Sequence, residues 1–268
     1  MEYEIGFLGY GRMARAISEG LDQSGVIPYQ RQIVSGRDRR KLTLAAETLG
    51  VAPAADNRDL ARRAKVVVLG VKPKQVCATL EEIQDDLAGA PLIISMAAGV
   101  RLKNMVRLLP QGVGLVRVMP NVAAMVGQGL TLACAAPGTT PDHLAKTREI
   151  FQSVGQVVSL EEALFDAGGA VSGSGPAYVF TFMESLIRGA VRQGLSWETA
   201  REMVLQTTLG AAVMATKRPE ASLSGLRDMV TSPGGTTAEA LYILEKEGFG
   251  GAIQRALEAA TEKSRKLT

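Results

Sequence analysis

Over the first 160 positions, apolar residues gather in short runs separated by stretches in which they recur every three or four places. The runs are EIGFL (4–8), QIVS (32–35), KVVVLGV (65–71), PLIIS (91–95), VGLVRVM (113–119) and LTLACA (130–135). Strands alternating with helices predict a parallel, doubly wound sheet. KVVVLGV is apolar on both of its faces, as a central strand covered by helices on each side must be. From Glu161 onward the pattern changes to long helical repeats over 177–194, 197–216 and 237–248, with no convincing strand. The expected fold is therefore α/β, with a Rossmann-type NAD(P)-binding domain over 1–160 followed by an all-helical substrate and dimerisation domain over 161–268.

Composition narrows the class. With 46% hydrophobic residues in 268, the chain can bury a sizeable core. The net charge of +3 is spread among alternating acids and bases, and only 4% of residues are aromatic, which argues against a nucleic-acid partner. Cys77 and Cys134 lie far apart in apolar surroundings and read as buried, reduced thiols, with no metal site. The start MEYEIGFLGYG lacks a basic leader, and no apolar run reaches the roughly 18 residues of a membrane helix. A soluble, cytoplasmic protein with no membrane partner is expected.

The first strand runs into GYGRMA, a G-x-G-x-x-A pattern at Gly9, Gly11 and Ala14. Gly9 permits a tight turn, Gly11 lets backbone amides reach a pyrophosphate, and Ala14 lets the helix sit close on the strand. The second strand ends in IVSGRDRRK, where an NAD-binding domain usually places an acid on the ribose 2′-hydroxyl. Ser35 and Arg37 stand there instead, with Arg39 and Arg40 behind; a hydroxyl and guanidinium groups suit a 2′-phosphate, so NADPH is preferred over NADH. Arg39 and Arg40 also read as an ordinary solvated helix start. VKPKQ and SMAAGV end two later strands on the same crevice, and Lys72 is a weaker candidate there than the glycines.

In the helical half, SPGGTTAEALYILE (232–245) sets bare backbone against a helix start. That suits an anion, because the first amides of a helix are unpaired donors. It equally suits a cap, since Thr236 and Glu239 have capping-box spacing. VSGSGPAY (171–178) is a second small-residue stretch, with Pro176 placed for a first helical turn. The single histidine, His143, sits at an ordinary helix start and reads as a solvated surface residue, and no Ser-His-Asp set can be assembled. The apolar helical faces exceed what one layer on the sheet domain could cover, which favours a homodimer or larger ring.

Taken together, GYGRMA, VKPKQ, SMAAGV, RVMPN, VSGSGPAY and DMVTSPGGTTAEAL resemble the pyrroline-5-carboxylate reductases over nearly the whole chain. Tyr10 and Arg12 fill the variable positions of the glycine turn, where that family often has smaller residues or an Asn. The resemblance implies NAD(P)H-dependent reduction of 1-pyrroline-5-carboxylate to L-proline, the last step of proline synthesis, in dimers or higher homo-oligomers joined through helical domains. It implies cofactor contacts at Gly9, Gly11, Arg12, Met13, Ser35, Arg37, Asn57, Val71, Lys72, Pro73, Ala97 and Gly99. It places the substrate carboxylate at Val230, Ser232, Gly234, Gly235, Thr236 and Thr237, with Thr237 as the catalytic contact to the ring nitrogen. Two rivals stand beside it. A 3-hydroxyacid dehydrogenase relative would want a lysine between Glu161 and Trp197, where there is none; a non-catalytic NADP sensor would not need SPGGTT.

Overall fold

The computed structural model of the chain describes residues 2–89 and 92–266. Its strands are β1 (Tyr3–Leu8), β2 (Gln32–Ser35), β3 (Ala52–Pro53), β4 (Ala64–Leu69), β5 (Leu92–Ser95), β6 (Gly114–Pro120), β7 (Gly129–Ala135) and β8 (Gly155–Ser159). They form one sheet in the order β3-β2-β1-β4-β5-β6-β7-β8. Helices α1 (Arg12–Gln23), α2 (Arg39–Leu49), α3 (Asn57–Arg63), α4 (Val76–Ile83), α5 (Leu102–Val106) and α6 (Pro141–Gln152) connect them. The helical part comprises α7 (Phe165–Ser172), α8 (Gly175–Arg192), α9 (Trp197–Lys217), α10 (Leu223–Asp228), α11 (Thr236–Lys246) and α12 (Phe249–Arg265).

The apolar strands bury both faces of the sheet. In β4, Val66 and Val68 join Ile5, Phe7 and Ala14 in one cluster, while Val67 and Leu69 join Leu8, Ile33 and Leu115 in the other. This two-residue alternation is what a continuous apolar run produces when helices cover both sides. The strand order reverses between β1 and β4, so the ends of these two strands open the crevice in which doubly wound sheets bind ligands.

The sheet departs from the sequence expectation at its far edge. Strands β3 through β6 are parallel, but β7 runs antiparallel to β6, with Val118 opposite Ala133. The link between them, residues 121–128, is shorter than the roughly twelve residues a parallel crossover needs. Edge strand β8 pairs with β7 and was missed because GQVVS is largely exposed, Val158 being 40% exposed, and so lacks an apolar run.

Strands end near residue 160, yet the first compact unit runs through Ser174 and regains Ala260–Thr268; the second is Gly175–Ala259. The reason lies in the segment after β8. Phe165 is buried in the sheet-face cluster beside Leu132 and Cys134. Arg117 of β6, nearly buried, pairs with Glu162 at 2.9 Å and lies over the Phe165 ring at 4.7 Å. Glu162 also accepts the Leu102 N–H at 2.7 Å, so the start of the helical sequence is bolted to the sheet. Within the second unit, α8 and α9 pack through Ile187, Ala200 and Val204, while many other apolar side chains stay open, among them Phe180 at 61% and Leu209 at 58%.

Candidate active site

The carboxyl ends of β1, β2, β4 and β5 bring the first group of predicted residues together. Gly9 has φ +93°, its N–H donates to the Ser35 carbonyl at 2.9 Å, and the Gly70 N–H donates to the Leu8 carbonyl at 2.8 Å. A Cβ on Gly9 would lie 2.8 Å from the Gly70 carbonyl carbon, and one on Gly70 would lie 2.5 Å from the Gly9 oxygen. Both glycines are therefore required for the two loops to touch. Gly70 was not singled out from the sequence, though a glycine interrupting KVVVLGV is the usual mark of a close backbone approach.

Gly11 serves a different purpose. It is the N-cap of α1 with an ordinary φ of −82°, and a Cβ there would meet no atom within 4 Å. The first helical bond runs from the Arg15 N–H to the Gly11 carbonyl, and no side chain caps the helix. The amides of Arg12 and Met13 thus have no partner among the described residues and stand beside the open space at Gly11, a cradle suited to a dinucleotide pyrophosphate. Ala14 is buried against the sheet. Tyr10 does not obstruct the cradle, because its ring packs on Phe7 and its hydroxyl pairs with the Ser18 hydroxyl at 2.8 Å; burial pushes its pKa up.

At the end of β2, Ser35 is buried and its hydroxyl donates to Asn57 Oδ1 at 2.7 Å. Asn57, the first residue of α3, donates in turn to the Glu82 carboxylate of α4 at 2.9 Å. Arg37 is exposed and has no ion-pair partner among the described residues. Arg39 is different, since its guanidinium donates to the Ala54 carbonyl at 2.8 Å and to the Ala55 carbonyl, which ties α2 to the loop after β3. Val71, Lys72 and Pro73 follow β4, with Lys72 and Pro73 exposed. Ala97, buried, and Gly99, at φ +75°, follow β5. No acid ends β2, and the open helix start together with the free Arg37 fits a phosphorylated dinucleotide.

In the second unit, Ser232 to Gly235 form a turn closed by the Gly235 N–H to the Ser232 carbonyl at 3.0 Å. Pro233 and Gly234 at φ +68° supply the two central residues of a type II turn. The N-cap of α11 is Gly235, and no side chain caps it. The Thr236–Glu239 capping box is therefore not formed, because Thr236 is already the first helical residue. The first helical bond joins the Glu239 N–H to the Gly235 carbonyl at 3.3 Å, which leaves the amides of Thr236, Thr237 and Ala238 unpaired among the described residues. Thr237 is half-buried; Ser232 and Gly234 are exposed, and Val230 is 64% exposed.

His143 lies at the opposite, amino-terminal end of the sheet. It is not a solvated surface residue, for it is half-buried against Gly114 at the start of β6, and its Nδ1 is buried with no hydrogen-bond partner among the described residues. Cys134 is buried and Cys77 half-buried, both free, and burial pushes the Cys134 thiol pKa up. No group of metal-binding side chains occurs among the described residues.

Residues 162–267 match the family model described as pyrroline-5-carboxylate reductase dimerisation, and residues 4–99 match one described as NADP oxidoreductase, coenzyme F420-dependent. The pyrroline-5-carboxylate reductase of Pisum sativum is 38% identical over 99% of this chain and 96% of that protein. The solved structure of a pyrroline-5-carboxylate reductase from Coxiella burnetii superposes with a TM-score of 0.93 at 39% identity, covering 100% of this chain and 99% of that one. The Plasmodium falciparum pyrroline carboxylate reductase, solved with NADP bound, gives 0.87 at 32% identity, covering 100% and 99%. The N-terminal α/β part, matched over residues 4–99, is thus NADP-binding, and with identity of this level running the length of both chains, the protein belongs to the pyrroline-5-carboxylate reductase family.

Proposed function

We propose that two uncapped helix starts, one in each unit, divide the work of a single reduction. The reaction itself is that of the family: 1-pyrroline-5-carboxylate is reduced to L-proline, the final step of proline biosynthesis. NADP(H), when bound, supplies the hydride. In the first unit, the amides at the start of α1 hold the pyrophosphate, Ser35 faces the ribose 2′ position and Arg37 attracts the 2′-phosphate, which makes NADPH the preferred cofactor. The loops at Val71, Lys72, Pro73, Ala97 and Gly99 border the same crevice. In the second unit, the amides of Thr236, Thr237 and Ala238 bind the substrate carboxylate, with the positive end of the α11 dipole behind them. A protonated imine is already an electrophile, so the protein needs no strong base. The Thr237 hydroxyl oxygen accepts the imine N–H and holds the ring in register. The observation that carries this reading is the absence of any side-chain cap on a glycine-fronted helix start.

The match to a dimerisation family and the open apolar side chains of the second unit support self-association as a dimer or larger ring, because burying such faces is favourable. A monomer in sedimentation velocity at micromolar concentration would refute it. No helix among the described residues is long and apolar enough to cross a membrane, and we place the enzyme in the cytoplasm.

Steady-state kinetics with varied imine test the site. Thr237→Ala keeps the amides, so turnover should fall about 10- to 100-fold with a smaller change in KM. Gly235→Val drives a side chain into the Ser232 hydroxyl and to within 3.1 Å of its carbonyl, so KM should rise while NADPH binding is spared. Thr237 caps nothing, so its urea melt should move by less than about 0.5 kcal/mol. Normal kinetics in both variants would retire the carboxylate site.

A further inference from the structure

We infer that Glu82, an exposed residue of α4, sets how strongly the enzyme discriminates NADPH from NADH, by fixing the direction of a hydrogen-bond chain that ends on Ser35. The inference rests on the reading that Ser35 faces the ribose 2′ position. A carboxylate can only accept hydrogen bonds. Asn57, 2.9 Å from Glu82, must therefore turn its amide nitrogen toward α4, which leaves its oxygen toward Ser35. The Ser35 hydroxyl accordingly donates to Asn57 at 2.7 Å. Its only proton is spent inside the protein, and what remains for a ligand is lone pairs.

Lone pairs suit the 2′-hydroxyl of NADH, which can donate, and do not suit a 2′-phosphate, whose oxygens accept. Docking a phosphate on Ser35 obliges that hydroxyl to leave Asn57, and Asn57 cannot compensate by flipping, because its oxygen would then face the Glu82 carboxylate. Arg37 attracts the phosphate while the Ser35–Asn57–Glu82 chain moderates that preference. Glu82 is a positioning residue: it acts through Asn57, and it lies on the helix that follows the Val71–Pro73 loop.

Glu82→Gln should free the chain to reverse when a phosphate docks, because an amide can donate as well as accept. The Gln amide can donate to Asn57, Asn57 can then donate to the Ser35 oxygen, and the Ser35 proton is released to the phosphate. The ratio of NADH to NADPH dissociation constants, read by fluorescence titration, should rise about 3- to 10-fold. Loss of the Glu82 charge alone would push the same way, but a charge effect across solvent is screened by salt, whereas hydrogen-bond direction is not. The ratio is therefore measured at low and high salt, in the natural and Ser35→Ala backgrounds, with a urea melt of each variant to confirm folding. A rise that persists at high salt and disappears in Ser35→Ala supports the inference. A rise that vanishes in high salt, or that is equal in both backgrounds, overturns it while leaving the Ser35 pocket standing. If Ser35→Ala by itself leaves the ratio unchanged, the pocket assignment fails, and the inference with it.

Discussion

Gly9 and Gly11 sit two residues apart in one turn, and the structure predicts opposite consequences for filling them. At Gly11 the backbone is ordinary and a Cβ meets nothing within 4 Å. Gly11→Val should therefore keep stability within about 1 kcal/mol, the cost of a poorer N-cap residue. Its side chain, however, occupies the space through which a pyrophosphate reaches the α1 amides. Two amide bonds to a charged acceptor, at about 1.5–3 kcal/mol each, amount to a loss of about 3–6 kcal/mol, or roughly 10²- to 10⁴-fold in affinity for either dinucleotide. At Gly9 an alanine must adopt φ +93° with its Cβ 2.8 Å from backbone that cannot rotate away. Gly9→Ala should lower stability by at least about 2 kcal/mol. The assay pairs NADPH fluorescence titration with urea denaturation. An unchanged titration in Gly11→Val, or a melt shifted as far as that of Gly9→Ala, would refute the division of roles between the two glycines.

Two further outcomes follow from charged side chains. Arg37→Asp should weaken NADPH at least about 10-fold more than NADH, because the 2′-phosphate loses a cation and meets a like charge; equal losses for both cofactors in the titration would dismiss Arg37 from the pocket. Glu162→Ala strands the Arg117 guanidinium, whose side chain is only 6% exposed, and should cost about 3 kcal/mol in a urea melt. A shift below about 1 kcal/mol would show that Arg117 finds another partner.

Local pattern alone determined much of this protein. The apolar runs that became β1, β2, β4, β5, β6 and β7, and the helical repeats that became α8, α9 and α11, were legible because side-chain periodicity is set by backbone geometry within a few residues. The glycine turn was legible for the same reason, since Gly9 and Gly11 answer to steric needs inside one strand-turn-helix unit. Tertiary structure decided the rest wherever the partner lies far away in sequence. Gly70 is needed because Gly9 comes to rest against it, and neither residue announces the other. Ser35 is turned by Asn57 and Asn57 by Glu82, residues 22 and 25 positions apart, whose meeting depends on how α3 and α4 follow their strands. The cap of α11 fell to Gly235, not Thr236, because a type II turn at Pro233 and Gly234 fixes where helical backbone can begin. His143 lost its place in solvent to the absence of a side chain on Gly114. The antiparallel entry of β7 and the docking of Phe165 on the sheet came from a short link and a half-buried ion pair, which act only once the strands they join are side by side.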